Sequence, residues 1–354
     1  MRTLHLLAST DRRGAEVFGT ELAATLDARG HENEVVALSP GTTGGLEVEV
    51  LEALANPGAA RELRRRARGV DVVLGHGSRG LVAATLATAG THTPFVYRSI
   101  GDPGFWGSSP LRRWRVGLQL RRAARVTALW PEAADAIARQ HRVPRSRLAV
   151  VPNSADPRRF APATPAERTE ARRHLGIPEQ SRVVAYVGAL SREKRVELVV
   201  DAVASLSDVH LVVAGGGGEL EAVQTLGDRL LGPRLHCVGQ LDDVVPVYRA
   251  ADAIALLSRT EGQPGTLIEA GLSGLPAVAT RVGGTRSVVV AGRTGMLVEP
   301  DVDPATAGAA LAEAIDRRGS LGAAAREHCR ETFDAEVVTS MVEAVLVDAV
   351  ASRR

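Results

Sequence analysis

The chain has 354 residues, and its 43 basic and 41 acidic side chains leave a formal net charge of +2. This length suits two domains, and a composition of 45% hydrophobic and 24% charged residues is typical of a globular protein with a buried core. A net charge so near zero disfavours a nucleic-acid partner, and two cysteines without metal or disulfide spacing fit a reducing compartment.

The amino-terminal stretch "MRTLHLLAST" has too short an apolar run for a signal peptide and is typical of a first strand. No segment approaches the roughly 18 apolar residues that a membrane-spanning helix needs. We therefore expect a cytoplasmic protein. The sequence leaves its oligomeric state open.

Short runs of Val, Leu and Ala alternate with stretches rich in Ala, Arg and Glu, which indicates βαβ units and parallel sheets. In the first half, helices are predicted between the strands, among them 16–29 and 80–88. The strands predicted for this half are 3–9, 32–39, 70–77, 94–100, 125–130 and 148–153.

Residues 152–181 are rich in Pro, Ser and charge, which predicts a linker, and the alternation then resumes. We place one domain at 1–160 and a second at 161–334, followed by a last helix over about 334–351. Two doubly wound domains predict an interdomain cleft with sites at the carboxyl ends of the strands. The strands predicted for the second half are 182–190, 210–217, 235–241, 253–258, 276–284 and 294–300.

The stretch "EGQPGTLIE" joins a predicted strand to a predicted helix. Pro264 suits the first turn of that helix, because its missing N–H costs nothing there. The amides of Gly265, Thr266 and Leu267 would then be free at the helix N-terminus. Such a terminus is a binding site for an anion, typically a phosphate.

Glu261 and Glu269 lie eight residues apart and flank this amide cluster. Spacing alone does not distinguish them from solvated carboxylates at a helix start. Their surroundings, "EGQPGTLIEAGLSGLPAVATRVGG" and the following "GRTGMLVEP", resemble the E-x7-E signature of the retaining glycosyltransferases of family 4. The resemblance extends over most of the chain and is densest over residues 151–300.

This resemblance implies a GT-B fold, in which two Rossmann-like α/β domains face an interdomain cleft. The carboxyl-terminal domain would hold a nucleoside diphosphate sugar, and the last helix, about 335–354, would pack back on the amino-terminal, acceptor-side domain. Glu269 would bind the ribose hydroxyls. Glu261 would contact the sugar and stabilise positive charge at its anomeric carbon.

The loop "VGALSREK" resembles the family's loop that holds the donor's diphosphate. Lys194, the only lysine in the chain, takes the lysine position of that loop, and Gly188 ends the strand before it. Ala189 stands where an arginine is usual. Arg192 would replace that guanidinium, unless it is a solvated loop arginine. A cation about 4 Å from a phosphate charge is worth roughly 4 kcal/mol at an effective dielectric of about 20, before desolvation.

Glycines in other loops also resemble donor-site elements of the family. The turn "AGGGGEL" fails the dinucleotide pattern because Leu220 replaces its last glycine, which disfavours a dehydrogenase. Val238 and Gly239 resemble the backbone edge that holds the nucleobase. Gly14 resembles the family's opening glycine turn, where the backbone approaches a phosphate or the acceptor, although a plain βα turn would also explain it.

The amino-terminal half contains one catalytic candidate and three candidates for the acceptor side. His76 ends a predicted strand and is expected to face the cleft with a catalytic role, or else to be structural. In the next strand relatives often carry a histidine, but this chain has Arg98, Ser99 and Asp102 instead. Ser287 likewise stands where a glutamate is common.

The sequence contains no convincing metal site. The "DVD" at 301–303 precedes a predicted helix and is better explained as a helix cap, and the nine histidines are scattered. We expect no cofactor other than the sugar nucleotide. Residues 111–126 are basic, but their arginines spread around the helical wheel, which favours a solvated helix over weak peripheral contact with the inner face of the membrane.

The sequence thus predicts a retaining glycosyltransferase acting by metal-independent front-face substitution, with a carbohydrate, lipid-linked or small-molecule acceptor. Two alternatives remain open. One is an isomerase similar to the nucleotide-sugar 2-epimerases, which share the two-domain architecture. The other is a nucleotide-sugar-binding protein without transfer activity.

Overall fold

The computed structural model describes residues 1–41, 45–101 and 109–352, and these divide into two compact units. The first unit comprises Met1–Asn153 with Ala335–Arg354, and the second comprises Ser154–Asp334. Among the predicted site residues, Asp102 lies outside the described part of the chain.

The division between the units falls a few residues before the predicted boundary at 160. Residues just after Asn153 belong to the second unit, because the Ala155 amide donates to the Phe333 carbonyl at 3.1 Å. The ring of Phe160 also packs edge-on against Tyr248, with 5.8 Å between the ring centroids. The predicted linker is therefore already part of a folded unit.

Part of that linker is in fact helical. Thr164 and Glu167 form a capping box: the Thr164 hydroxyl accepts from the Glu167 amide at 3.3 Å, and the Glu167 carboxylate accepts from the Thr164 amide at 2.9 Å. Pro165 follows at the first helical position, where proline is favoured. The segment was predicted to be a linker because its composition is rich in proline, serine and charged residues, and composition does not reveal this helix.

In the described part of the first unit, seven parallel strands follow the order β3-β2-β1-β4-β5-β6-β7. The strands are β1 (Arg2–Leu7), β2 (Glu32–Ala37), β3 (Glu49–Val50), β4 (Val72–His76), β5 (Phe95–Arg98), β6 (Arg125–Ala128) and β7 (Leu148–Val150). The helices between them are α1 (Gly14–Ala28), α2 (Pro57–Arg68), α3 (Gly77–Ala87), α4 (Pro110–Arg122) and α5 (Pro131–His141).

The second unit repeats the architecture with six parallel strands in the order β10-β9-β8-β11-β12-β13, all of them within the described residues 154–334. Its strands are β8 (Arg182–Val187), β9 (Val209–Ala214), β10 (Leu235–Gly239), β11 (Ala253–Leu256), β12 (Ala277–Thr280) and β13 (Gly295–Val298). Its helices are α6 (Pro165–His174), α7 (Val196–Ala204), α8 (Leu220–Leu230), α9 (Val245–Ala250), α10 (Gly265–Leu272), α11 (Thr285–Val288), α12 (Pro304–Asp316) and α13 (Arg318–Phe333).

Both sheets are doubly wound, as predicted, because each changes winding direction once. The change falls between β1 and β4 in the first unit and between β8 and β11 in the second. Strands such as β4 and β11 are buried along their whole length, which explains their continuous apolar sequences. Most strands end earlier than predicted, since the apolar runs continue into buried loop residues such as Leu190.

The last helix, α14 (Ala335–Ala351), packs within the first unit. Its buried face, including Val338 and Leu346, shares a hydrophobic cluster with Phe18 and Leu26 of α1. The Arg29 guanidinium, just after α1, donates to the Glu343 carboxylate at 3.0 Å. Apolar burial and this ion pair together explain why this carboxyl-terminal helix packs with the amino-terminal residues.

The structure bears on two further predictions, that the "DVD" stretch caps a helix and that no helix spans a membrane. The Asp303 carboxylate accepts from the Thr306 amide at 3.0 Å and caps α12, so the helix-cap interpretation is confirmed. Among the described residues, no helix is both long and apolar enough to cross a bilayer.

Candidate functional site

The switch point of the second sheet brings together two side chains that are 67 residues apart in the sequence. Lys194 lies in the loop after β8, Glu261 lies in the loop after β11, and these strands pair directly. The carboxyl ends of neighbouring parallel strands meet at one edge, so their loops meet too. The Lys194 ammonium donates to both Glu261 carboxylate oxygens, at 2.7 Å and 2.8 Å.

This ion pair is largely shielded from water. The side chains of Lys194 and Glu261 are only 23% and 6% exposed. A carboxylate so deeply buried needs a partner, because an uncompensated buried charge costs several kcal/mol. Each residue of the pair therefore stabilises the other in the absence of a ligand.

The backbone at Gly283 packs directly against the loop that carries Glu261. A Cβ atom on Gly283 would lie 1.8 Å from the Glu261 carbonyl oxygen, and Gly283 has a φ of +48°. The neighbouring Gly284 amide donates to the Gly262 carbonyl at 2.7 Å. The sequence did not single out Gly283, although the "VGG" at the end of the motif is a signal for a close backbone approach.

Helix α10 begins at Gly265, with Pro264 as the residue that precedes its first turn. The prediction of three free amides is wrong for Leu267, whose N–H donates to the Pro264 carbonyl at 3.2 Å. Gly265 and Thr266 are the first two helical residues, and helix geometry gives their amides no partner within the helix. The amide cluster is thus smaller than predicted.

Glu269 lies in the second turn of α10 and is held by Tyr248 of α9. The Tyr248 hydroxyl donates to a Glu269 carboxylate oxygen at 2.6 Å. Burial, reinforced by the Glu269 charge and this hydrogen bond, raises the pKa of Tyr248 well above its usual value. The tyrosine therefore stays protonated and orients the carboxylate. No sequence signal pointed to Tyr248, because its contact with Glu269 depends on helix packing.

The loop that carries Lys194 is held closely by its neighbours. A Cβ atom on Gly215 would lie 1.8 Å from the Gly188 carbonyl oxygen, so the loops after β8 and β9 are in backbone contact. The Tyr186 hydroxyl donates to the Ala189 carbonyl at 2.7 Å. Arg192, by contrast, has a 92% exposed side chain and pairs with Glu219 at 3.4 Å.

Val238 lies at an irregularity of the edge strand β10. Cys237 pairs with Val213 and Gly239 with Ala214, so Val238 is the extra residue of a bulge. A bulged residue leaves the ladder, and its backbone polar groups are unpaired by the sheet. The Gly239 carbonyl is occupied, because it accepts from the Gly215 amide at 2.8 Å.

Arg195 is a further residue of the site region that the sequence did not reveal. It has a left-handed backbone (φ 48°, ψ 49°) and a residue exposure of only 9%. Its guanidinium donates to the Leu257 carbonyl and to the Pro300 carbonyl, both at 2.8 Å. Arg195 thereby ties the Lys194 loop to the loops after β11 and β13. A left-handed arginine costs about 1 kcal/mol, which these contacts offset.

We predict that Arg195→Ala lowers the free energy of unfolding by about 2–4 kcal/mol, because it loses both carbonyl contacts and keeps the unfavourable backbone. Arg195→Gly should be about 1 kcal/mol less harmful, since glycine tolerates the left-handed region. Urea unfolding measures both. Arg142→Ala, at an exposed left-handed position (φ 55°), is the control. An Arg195→Ala protein as stable as the wild type would contradict the tethering role.

His76, which was predicted to face the cleft or else to be structural, is buried. It is 2% exposed, and its ring stacks on His5 at 5.6 Å between centroids, with Nε2 3.4 Å from Nδ1 of His5. Burial lowers the pKa of His5 to about 4, although a hydrogen bond from its ring to the Asn33 side-chain oxygen opposes this. Burial, with His5 and Arg98 nearby, lowers the pKa of His76 well below its usual value. The lowered pKa values favour neutral imidazoles near neutral pH, and burial favours the structural interpretation of His76.

These two histidines predict an acid-sensitive first unit. The unfolded chain binds protons at histidine below a pH of about 6.5. In the folded chain burial lowers the pKa of His5 to about 4 and holds the pKa of His76 well below its usual value. Stability is therefore full above about 6.5 and falls as the pH drops, by up to about 1.4 kcal/mol per pH unit for each histidine. Unfolding followed between about pH 7 and about pH 5 should show this slope. His76→Gln should flatten it, whereas exposed His174→Gln should not.

Arg98 and Ser99 are also interior residues, which corrects their assignment to the acceptor side. Arg98 is 2% exposed, lies 3.8 Å over the Phe18 ring, and donates to the Val151 and Pro152 carbonyls at 3.1 Å each. Burial lowers its pKa to about 9. Ser99 is 1% exposed. These residues were candidates because relatives often carry a histidine in this strand. In the structure, the Arg98 guanidinium instead binds backbone carbonyls that follow β7.

Gly14 is the first residue of α1, two residues earlier than the predicted helix start. It is exposed, and a Cβ atom there would meet nothing within 4 Å. The Arg13 side chain before it makes no capping hydrogen bond. A ligand could therefore approach this helix start, but no close packing requires glycine there.

No group of three or more His, Cys, Asp or Glu side chains in the described ranges 1–41, 45–101 and 109–352 lies close enough to hold a metal ion. Ser287, in place of the expected glutamate, accepts from the Gln263 amide nitrogen at 2.8 Å and donates to the Gly284 carbonyl at 2.7 Å. It thus connects the Glu261 loop to the loop of Gly283.

Two curated relatives illustrate the sequence similarity of this chain to other proteins. A D-inositol 3-phosphate glycosyltransferase of Corynebacterium jeikeium is 37% identical over 200 residues, or 51% of this chain and 47% of that protein. An enzyme of the same name from Geodermatophilus obscurus is 37% identical over 216 residues, or 56% of this chain and 47% of its own length. The chain spans about half the length of the curated relatives it matches.

Solved structures show the same fold over nearly the whole chain. Anabaena HepE, crystallised in complex with UDP-glucose, has a TM-score of 0.85 at 21% identity and covers 98% of this chain and 99% of its own. Sucrose-phosphate synthase from Thermosynechococcus elongatus has a TM-score of 0.80 at 20% identity, with 99% and 100% coverage. These structures establish the GT-B fold for this chain.

Two family profiles match the chain one after the other. The profile "Glycosyltransferase Family 4" matches residues 12–159, and the profile "Glycosyl transferases group 1" matches residues 167–332, which include Lys194, Glu261 and Glu269. Together they leave only the two ends and a short stretch around 160–166 unmatched. The chain belongs to the family 4 glycosyltransferases of group 1.

Proposed function

We propose that this protein transfers a glycosyl group, with retention, from a nucleoside diphosphate sugar to a hydroxyl acceptor. The observation that carries the proposal is the buried Lys194–Glu261 pair at the sheet's switch point. Glu261 lies in the loop between β11 and α10. The first turn of α10 supplies backbone amides, and its second turn supplies Glu269. A cation, helix amides and two carboxylates in one set of loops suit a sugar diphosphate.

Each residue has a role in this proposal. Lys194 binds the diphosphate, assisted by the amides of Gly265 and Thr266. Glu269, oriented by Tyr248, accepts hydrogen bonds from the ribose hydroxyls. The bulged backbone at Val238 binds the base.

Glu261 has a second role that follows from its contact with Lys194. Without donor, Glu261 neutralises the ammonium. The donor's diphosphate competes for the same ammonium, so donor binding frees the carboxylate to contact the sugar. Arg192, exposed and weakly paired, is able to turn toward the diphosphate at little cost.

The proposed reaction is a front-face substitution. The bond between the anomeric carbon and the leaving phosphate oxygen breaks, and a bond to the acceptor oxygen forms on the same face. The acceptor's proton passes to the leaving phosphate oxygen. The protein's contribution is positioning and charge stabilisation, since Lys194 meets more negative charge in the transition state than in the donor. We propose that no metal ion or other cofactor takes part.

The comparisons suggest where to begin with substrates. The relatives are named for D-inositol 3-phosphate, and HepE was crystallised with UDP-glucose. We therefore propose UDP-sugars as first donors, and inositol phosphate, carbohydrate and lipid-linked compounds as the first acceptor panel. A cytoplasmic location remains part of this proposal.

A thermal-shift screen of the full chain against UDP-, GDP- and ADP-sugars tests the donor. A ligand at 100 times its Kd adds about 2.7 kcal/mol of stability, which is a measurable shift. The donor that binds is then incubated with the acceptor panel, with and without EDTA, and the product's anomeric configuration is read by NMR. We expect the product to keep the anomeric configuration of the donor, with EDTA present as well as without it.

Other outcomes favour the alternatives. Conversion of the sugar without any acceptor supports an epimerase, and donor binding without transfer across the panel supports a binding protein. If no sugar nucleotide shifts the melting temperature, the proposed function is wrong.

A further inference from the structure

Helix α4 of the first unit carries a row of large apolar side chains on its surface. Leu111, Trp114 and Leu118 are 73%, 61% and 44% exposed. Their spacing of three and four residues puts them on one face of the helix. The opposite side, with Gly117 and Leu120, is buried. A contiguous exposed apolar row of this kind marks an interaction surface.

The charge of α4 identifies the partner. The helix "PLRRWRVGLQLRR" contains five arginines and no acidic residue. Arg112 and Arg115 are exposed beside the apolar row. The guanidiniums of Arg121 and Arg122 donate to backbone carbonyls, those of His141 at 2.8 Å and Thr85 at 3.0 Å. Because a backbone carbonyl carries no net charge, these hydrogen bonds leave the positive charge of α4 unchanged.

Helix α2 provides the contrast within the same unit. It also has five arginines, but it includes Glu62, which pairs with Arg65 and Arg66. Arg66 pairs in addition with Glu49. No large apolar side chain of α2 is exposed. Within the described residues, an exposed apolar row on a helix with arginines and no acidic residue is therefore found on α4 and not on α2.

We propose that α4 docks on an anionic phospholipid bilayer. Leu111, Trp114 and Leu118 enter the interface between headgroups and acyl chains, and the flanking arginines bind lipid phosphates. This is the arrangement of an interfacial amphipathic helix. The arginines do spread around the helix, as the sequence indicated, but the structure uncovers an apolar row between them. The proposal is independent of the reaction that the protein catalyses.

Vesicle sedimentation of the full chain tests the proposal, with phosphatidylcholine vesicles and with vesicles that also contain phosphatidylglycerol. We expect binding to the anionic vesicles, weaker when salt is raised from about 0.1 M to about 0.5 M. Trp114→Ser/Leu118→Ser should lower the partition coefficient about tenfold, because it removes two apolar anchors. Arg112→Gln/Arg115→Gln should lower it about fivefold or more.

Matched controls lie outside the proposed surface. Leu86→Ser removes a 57% exposed leucine of α3, and Arg61→Gln/Arg68→Gln removes two exposed arginines of α2. Both should bind vesicles as the wild type does. An unchanged melting temperature of each variant shows that it is folded.

Three results would overturn the proposal. The first is a wild-type protein that does not sediment with anionic vesicles, or that binds neutral vesicles equally well. The second is a Trp114→Ser/Leu118→Ser protein that binds like the wild type. The third is a dimer in light scattering that this variant converts to a monomer without any lipid binding, which would make a second copy of the chain the partner.

Discussion

Lys194→Ala is expected to lower kcat/KM for glycosyl transfer about 100- to 1,000-fold, the usual loss when one positioned charge on a leaving group is removed. The same change leaves the Glu261 carboxylate, only 6% exposed, without its ammonium. The free energy of unfolding should therefore also fall, by about 1–3 kcal/mol. Steady-state kinetics and urea unfolding measure the two effects on one protein.

A double variant separates these effects. Lys194→Ala/Glu261→Gln replaces the stranded carboxylate by a neutral amide, so stability should recover in part while activity stays low. Arg158→Ala is the control, because Arg158 lies in the same unit with an 84% exposed side chain. If Lys194→Ala and Arg158→Ala show comparable kinetics, Lys194 does not bind the diphosphate.

Gly283→Ala is expected to be strongly destabilising. The added Cβ would lie 1.8 Å from the Glu261 carbonyl oxygen, at a φ of +48° that disfavours any side chain. We expect the free energy of unfolding to fall by about 2–4 kcal/mol, from overpacking and left-handed strain together. The folded fraction should also lose donor affinity, because the clash displaces the Glu261 loop.

Two other glycines of the second unit separate the two causes. Gly292→Ala meets nothing within 4 Å but has a φ of +74°, so only strain of about 1 kcal/mol is expected. Gly218→Ala also meets nothing within 4 Å and has no positive φ, so it should be close to neutral. A Gly283→Ala protein no less stable than Gly292→Ala would show that the loop yields and does not hold Glu261.

Much of the fold was predictable because the alternation of apolar strand segments with helical segments is visible locally in the sequence. Strands that are buried on both faces need continuous apolar runs, and these are visible in the sequence. The ends of elements were less predictable. Residues such as Leu190 are buried in loops and extend an apparent strand, while the capping box at Thr164 starts a helix inside an apparent linker.

The candidate site was only partly predictable. Lys194, Glu261 and Glu269 were found through a family motif, and their geometry supports the roles proposed for them. His76 was predicted to face the cleft because it ends a strand, and Arg98 was assigned to the acceptor side because relatives often carry a histidine in the next strand. The structure buries both in the first unit, where Arg98 binds backbone carbonyls and His76 stacks on His5.

The sequence by itself determined the class of protein: two doubly wound parallel sheets and a sugar-nucleotide motif after the strand that became β11. Only the tertiary structure decided which groups meet. Lys194 contacts Glu261 because β8 and β11 are neighbours at the switch point, although 67 residues separate the two side chains. Winding order is set by how whole elements pack, so no local pattern encodes it. The same holds for Arg195, Tyr248 and the exposed row on α4, whose contacts or exposure depend on what the rest of the chain covers.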